Sequence, residues 1–192
     1  MTLRDVPVRS LCAVALAMMW GCVPRPPVAF EPPPPAACCR SWQQVRFQEM
    51  DSNGASGVMI GIGNSPTFEF DEGRSTFVAY RLPERAFGSM TVRTYASSAR
   101  LDMATVFRPR ALLLDSHLRQ VGSADFESMK EGSDFVRGAY YYATTSLPPN
   151  ATYLVIYAAS SKTTDRLVAR SANGSIFGLP NAYEGKISII PK

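Results

Sequence analysis

Val106 to Val121 reads V-F-R-P-R-A-L-L-L-D-S-H-L-R-Q-V, and this stretch decides the fold. Arg108-Pro109-Arg110 interrupts an apolar run, after which Ala111-Leu112-Leu113-Leu114 continues without a polar residue until Asp115. A short apolar run bounded by turn chemistry suits a strand buried on both faces, although periodicity alone also allows a helix. Pro109 disfavours helix at the residue before it, and Asp115-Ser116 stop the run. Strand is therefore the reading, and the rest of the chain is read as its surroundings.

Apolar alternation at period two recurs on both sides of that run. Val45, Phe47 and Glu49 alternate with Gln44, Arg46 and Gln48, and Val58-Met59-Ile60 and Thr67 to Phe70 follow. Thr76 to Leu82 puts Val78, Tyr80 and Leu82 on one face. Met90 to Tyr95 sets Met90 and Val92 against Arg93 and Tyr95. Asn53-Gly54, Asn64-Ser65-Pro66, Asp71-Glu72-Gly73 and Pro83-Glu84 supply turns between these segments. Beyond the central run, Arg119 to Phe126 and Asp134 to Tyr142 are strand candidates around a polar loop at Ser128-Lys130-Glu131-Gly132. Thr152 to Ala158 is a second strongly apolar strand and the natural partner of the first, and Gly185 to Pro191 closes the chain. Only Thr163 to Ser171 reads as helix, with Thr163 or Thr164 as cap, Asp165 in the first turn and Asn173-Gly174 as the stop. Many short strands and one short helix predict an all-β fold: a single β-sandwich or jelly-roll-like domain spanning 41–192.

Before that domain the chain reads as an export leader and a spacer. Arg4 and Arg9 give residues 1–21 a basic start, and Leu11 to Trp20 is apolar but shorter than the roughly 20 residues a membrane span needs. The leader ends in Met19-Trp20-Gly21-Cys22, which resembles a bacterial lipobox with Cys22 as the lipidated thiol, although Trp20 stands where a small residue is usual. The alternative is an ordinary secreted protein whose Cys22 lies near the cut by chance. Three acyl chains on Cys22 would anchor stably where one is marginal, and Val23 in place of an aspartate favours the outer membrane. Residues 22–40 are proline-rich, predicting a semi-rigid polyproline spacer of about 3.1 Å per residue. Of the 4 cysteines, Cys38 and Cys39 are adjacent. They could pair with another chain or stay free, but a vicinal disulfide that stiffens the entry to the domain is the favoured reading. No CxxC or Cys/His zinc spacing occurs, so no metal or cofactor is expected.

The order W-Q-Q-V (42–45), S-T-F-V-A-Y-R-L-P (75–83), M-T-V-R-T-Y (90–95), V-F-R-P-R-A-L-L-L-D (106–115), T-Y-L-V-I-Y (152–157) and N-A-Y-E-G-K-I-S-I (181–189) resembles the maltose operon periplasmic protein family. The likeness covers nearly the whole of 42–189, and the Phe-x-Pro-x-x-Leu-x-Leu-Asp segment is its most specific part. The chain differs in ending after its last strand, without the C-terminal extension of longer members. The resemblance implies an exported envelope protein with no established enzymatic activity, in its best-known setting encoded beside maltodextrin uptake genes. It brings no catalytic residues with it.

Functional constellations are sparse. The single histidine, His117, follows Asp115 and Ser116, but a triad is assembled from separate segments, and no G-x-S-x-G or H-E-x-x-H occurs. His117 is expected in a solvated turn, with Asp115 accepting backbone hydrogen bonds. Gly61-Ile-Gly63 lacks the third glycine and the helix of a dinucleotide site. No catalytic residue is expected. The formal charge is +4, falling to +3 once the two arginines and one aspartate of 1–21 are removed. Arg81, Arg85, Arg93, Arg100, Arg108 and Arg110 are interleaved with Glu84 and Asp102. This is ordinary solubility and predicts no nucleic-acid partner. Aromatics are the remaining resource for a sugar site: Trp42, Tyr95, the run Tyr140-Tyr141-Tyr142, Tyr153 and Tyr157. Of Tyr140-Tyr141-Tyr142, adjacent members must face opposite sides of a strand. Those that point outward, with Trp42, are the candidate glycan-binding residues, against the plainer reading that tyrosines are good strand formers. The sequence thus predicts a non-catalytic accessory lipoprotein, periplasmic and anchored to the outer membrane. It holds a glycan or, alternatively, serves as an interaction or structural module docking on an outer-membrane or transport protein.

Overall fold

The computed structural model describes residues 31–84, 88–126, 128–134, 138–162 and 165–192. Residues 1–21, Cys22 and the helix caps Thr163 and Thr164 lie outside the described residues. In chain order the strands are β1 (Gln48–Glu49), β2 (Ala55–Ile60), β3 (Thr67–Phe70), β4 (Gly73–Arg81), β5 (Ser89–Thr94), β6 (Pro109–Leu114) and β7 (Gln120–Ala124). They continue with β8 (Lys130–Asp134), β9 (Gly138–Ser146), β10 (Tyr153–Ala158), β11 (Leu167–Arg170), β12 (Ile176–Leu179) and β13 (Gly185–Pro191). Short 3₁₀ turns cover Trp42–Gln44 and Leu101–Met103.

The first sheet runs β1-β4-β10-β6-β7, with β3 also on β4; the second runs β2-β13-β5-β9-β8. β1 pairs with β4 in parallel, and the other strand ladders are antiparallel. The apolar run Ala111 to Leu114 lies in β6. It lies beside β10, with Leu113 opposite Leu154 and Ala111 opposite Ile156. Pro109 sits at the first strand position, where its missing N–H costs no ladder bond. Inward residues of both sheets share one core, with Val78, Leu113, Leu154 and Ile156 from the first meeting Ile60, Val92, Ile187 and Ile189 from the second. Each fully buried aliphatic chain of this kind contributes about 1.5–3 kcal/mol. The all-β sandwich is thus the architecture.

β6 is buried on both faces because the first sheet is also covered from outside. Phe70, Phe77, Leu114, Val155 and Tyr157 form a second cluster, roofed by Trp42, Val45, Phe47 and Phe68. Trp42 stacks on Phe68 with centroids 4.1 Å apart, and Phe70 on Tyr157 at 3.8 Å. The arginines that interrupt the run are buried and paired. Arg108 donates to the Asp165 carboxylate at 2.7 Å and to its carbonyl at 2.9 Å, and Arg110 holds Glu72 at 3.0 Å.

Several expectations need correction. The helix expected over Thr163 to Ser171 is instead strand β11, hairpinned to β12. Leu167 and Ala169 turn inward onto Ala104, Val106, Tyr141 and Leu179, while Val168 and Arg170 face solvent. That period of two outweighs the capping residues. Asn173-Gly174 is the hairpin turn, closed by the Ser175 amide on Asn173 Oδ1 at 3.1 Å and the Gly174 amide on the Ser171 carbonyl at 2.8 Å. The loop expected at Ser128-Lys130-Glu131-Gly132 gives way to β8, and only Gln48–Glu49 of the first strand candidate pairs.

The proline-rich spacer is also corrected where it is described. Residues 31–38 lie along the domain instead of standing clear of it. The Glu31 carboxylate accepts the Tyr183 amide at 2.6 Å, and its carbonyl accepts the Ser161 hydroxyl. Arg74 donates to the carbonyls of Pro35 at 2.7 Å and Pro34 at 3.3 Å, Thr67 Oγ1 donates to the Ala36 carbonyl, and the Cys38 amide donates to the Thr67 carbonyl at 2.8 Å. Proline has no N–H to donate, and β3 and β4 supply donors to the carbonyls of Pro34, Pro35 and Ala36. The contacts of the domain therefore begin ahead of Ser41.

Candidate functional site

The alternation of β9 sorts the three tyrosines. Tyr141 points inward, is 1% exposed and packs on Leu167, Ala169 and Leu179. Burial, reinforced by Glu131, pushes its phenol up to about 12. Tyr140 and Tyr142 are half-buried on the outer face of the second sheet, with ring centroids 5.9 Å apart. Tyr140 lies 6.3 Å from Tyr95, which follows the end of β5.

The ladder register builds a patch around them. One row across the outer face runs Lys130, Tyr142, Arg93 and Ser188. The next carries Gly132, Tyr140, Tyr95 and Lys186, with Lys186 opposite Met59. Cations sit on rings: the Arg93 guanidinium carbon is 4.4 Å from the Tyr140 centroid, and Lys186 Nζ is 5.3 Å from that of Tyr95. Such contacts are worth about 0.5–1 kcal/mol at exposed sites and more when desolvated. Gly132 makes room for this arrangement, since a Cβ there would come within 2.7 Å of the Tyr140 ring. Met59 is 71% exposed beside it.

Tyr95 also divides two clefts. One of about 540 Å³ is lined by Met59, Asn64, Phe107, Glu184 and Lys186. The other, of about 400 Å³, is lined by Leu101, Ala139, Tyr141 and Arg170. Flat rings flanked by donors and clefts can stack on an apolar sugar face while polar groups take its hydroxyls.

The structure does not bring all the candidate residues together. Trp42 packs on Phe68 over the outer face of the first sheet, on the opposite side of the sandwich. Cys38 and Cys39 are bonded to each other, where the strap of residues 31–38 meets β3. His117 is exposed in the turn after β6. Asp115 Oδ1 accepts the backbone N–H groups of His117 and Arg119 at 2.8 and 2.9 Å, and the Arg119 guanidinium lies on Oδ2 at 2.9 Å. The Arg119 amide, foremost, holds the Asp115 carboxyl below its ordinary value. Among the described residues no group of three or more His, Cys, Asp and Glu is gathered as a metal would need.

Arg93 and Lys186 were not singled out as site residues by sequence, whereas Tyr95 was among the available aromatics. A signal existed, because the alternation of Met90 to Tyr95 already put Arg93 and Tyr95 on the face opposite the core. Lys186 had none, since its place beside Tyr95 depends on β13 pairing with β5 across the whole chain. Comparison with protein-family models, with curated proteins and with solved structures returned no match to the chain.

Proposed function

We propose that this chain is a non-catalytic accessory protein of the cell envelope that binds a glycan on the outer face of its second sheet. One observation carries the reading: Tyr140, Tyr142 and Tyr95 form a contiguous aromatic patch, with Arg93 and Lys186 seated on two of the rings. Aromatic platforms beside planar donors are the chemistry that takes sugar rings out of water. The envelope address rests on the basic and apolar leader over 1–21 and the lipobox-like Met19 to Cys22. A link to maltodextrin uptake rests on the resemblance to the maltose operon periplasmic protein family.

Calorimetric titration of the purified chain with maltodextrins and envelope glycans tests the binding. Micromolar affinity corresponds to about −8 kcal/mol, and Tyr142→Ala should weaken it by about tenfold as one stacking ring is lost. Silence across the panel would overturn the glycan reading. The exposed Val168 and Ile176 of the β11–β12 hairpin would then be the place to crosslink a protein partner. The anchor has its own test: Cys22→Ala should abolish fatty-acid labelling and release the chain from the membrane fraction, and unchanged membrane association would overturn it.

A further inference from the structure

The described arginines that are buried or half-buried are Arg74, Arg93, Arg108 and Arg110. Three of them hold a carboxylate: Arg74 on Glu69 at 3.1 Å, Arg108 on Asp165 at 2.7 Å and Arg110 on Glu72 at 3.0 Å. Arg93 has none among the described residues, and its buried Nε has no hydrogen-bond partner there. Taking a guanidinium partly out of water is costly unless an opposite charge or acceptors compensate. The Tyr140 face, 4.4 Å away, returns only part of that cost. Lys130 and Lys186 stand on either side in the same patch, and neither is within ion-pair distance of a described carboxylate. Glu184 lines the neighbouring cleft, at the far side of Lys186 from Arg93 in the ladder register.

We infer that the glycan bound by this face is acidic, with a carboxylate or phosphate group seated at Arg93 while its sugar ring stacks on Tyr140 and Tyr142. This rests on the glycan-binding reading above and adds the charge of the ligand. A guanidinium presents a planar fork of donors that matches either anion. The anion would supply the counter-charge that Arg93 and the patch lack among the described residues. Lys130 and Lys186, one on each side, set the field that draws it in.

The test uses the full chain and matched ligands: an oligogalacturonide against its methyl ester, and a phosphorylated maltodextrin against its neutral parent, with inorganic phosphate as a third probe. The acidic member of at least one pair should bind about tenfold more tightly than its neutral partner, or about 1.4 kcal/mol. Raising the salt concentration should erode that preference. Arg93→Met should abolish that preference, so that the acidic and neutral members of each pair bind within about twofold of each other. The two pairs separate a carboxylate seat from a phosphate seat, and binding of inorganic phosphate alone would show that the anion is held without the ring. Should Arg93→Met fail to fold, the salt dependence of the unaltered chain decides the question. Equal binding of acidic and neutral partners would overturn this inference and leave the glycan reading standing. No binding by any glycan would overturn both. A preference that survives Arg93→Met would remove Arg93 as the seat.

Discussion

Tyr140, Tyr141 and Tyr142 show how one residue type takes different roles one position apart. Side chains in β9 alternate across the sheet, so Tyr141 enters the packing against Leu167 and Leu179 while its neighbours meet water. Tyr141→Ala should therefore cost about 3–5 kcal/mol, the usual range for emptying a buried aromatic site. Tyr142→Ala should change stability by no more than about 0.5 kcal/mol while weakening ligand binding. Denaturant midpoints of the two variants check this, and a Tyr142→Ala loss as large as that of Tyr141→Ala would show that the outer tyrosines are structural. The sequence required the alternation but left its phase open. The phase was set by Ala143 and Tyr141 pairing with inward Val92 and Thr94 of β5.

At the scale of elements, the strap over residues 31–38 and the β11–β12 hairpin both departed from their local signals. Proline-rich composition gave no sign that Arg74 and Thr67 would bind its carbonyls. The strap carries a pH dependence through Glu31. Burial, reinforced by Glu184 and opposed by the Tyr183 amide, holds its carboxyl above the ordinary value. A raised carboxyl favours the docked strap while protonated. Docking is thus fully supported below the ordinary carboxylate range and weakens as pH rises through the raised value. The protection factor of the Tyr183 amide, corrected for intrinsic exchange, should fall over that window in the native chain and stay level in Glu31→Gln. Protection that rises with pH would contradict the assignment. The hairpin teaches the converse lesson. Its cap and turn residues fit a helix, but four residues with Leu167 and Ala169 on one side gain more from the pocket beside Tyr141 than from a single isolated helical turn.

For the whole molecule, most pairings join distant segments: β13 lies between β2 and β5, and β10 between β4 and β6. Such topology folds slowly, on the scale of milliseconds to seconds, because loop closure precedes its reward. It also ties the shared core to the Trp42 layer, since β4, β6 and β10 contribute one face to each. With Trp20→Phe leaving Trp42 as the sole tryptophan, its fluorescence and the far-ultraviolet circular dichroism should follow one denaturation midpoint. Separate midpoints would show the Trp42 layer melting as its own unit.

The sequence by itself determined the fold class, the position of β6 and its partnership with β10. A four-residue apolar run after Pro109, and a second at Leu154 to Ile156, leave few ways to keep both faces dry. It also determined the turn after β6, since Asp115 has backbone N–H groups within reach whatever the rest of the chain does. Only the tertiary structure decided the candidate site. Arg93, Tyr140, Tyr142 and Lys186 come from three strands far apart in the chain, Tyr95 follows one of them, and their meeting depends on ladder register. Trp42 was set on the opposite face by the same sandwich that brought the tyrosines together. Local chemistry fixes what a residue can do, and pairing between distant segments fixes what it stands beside.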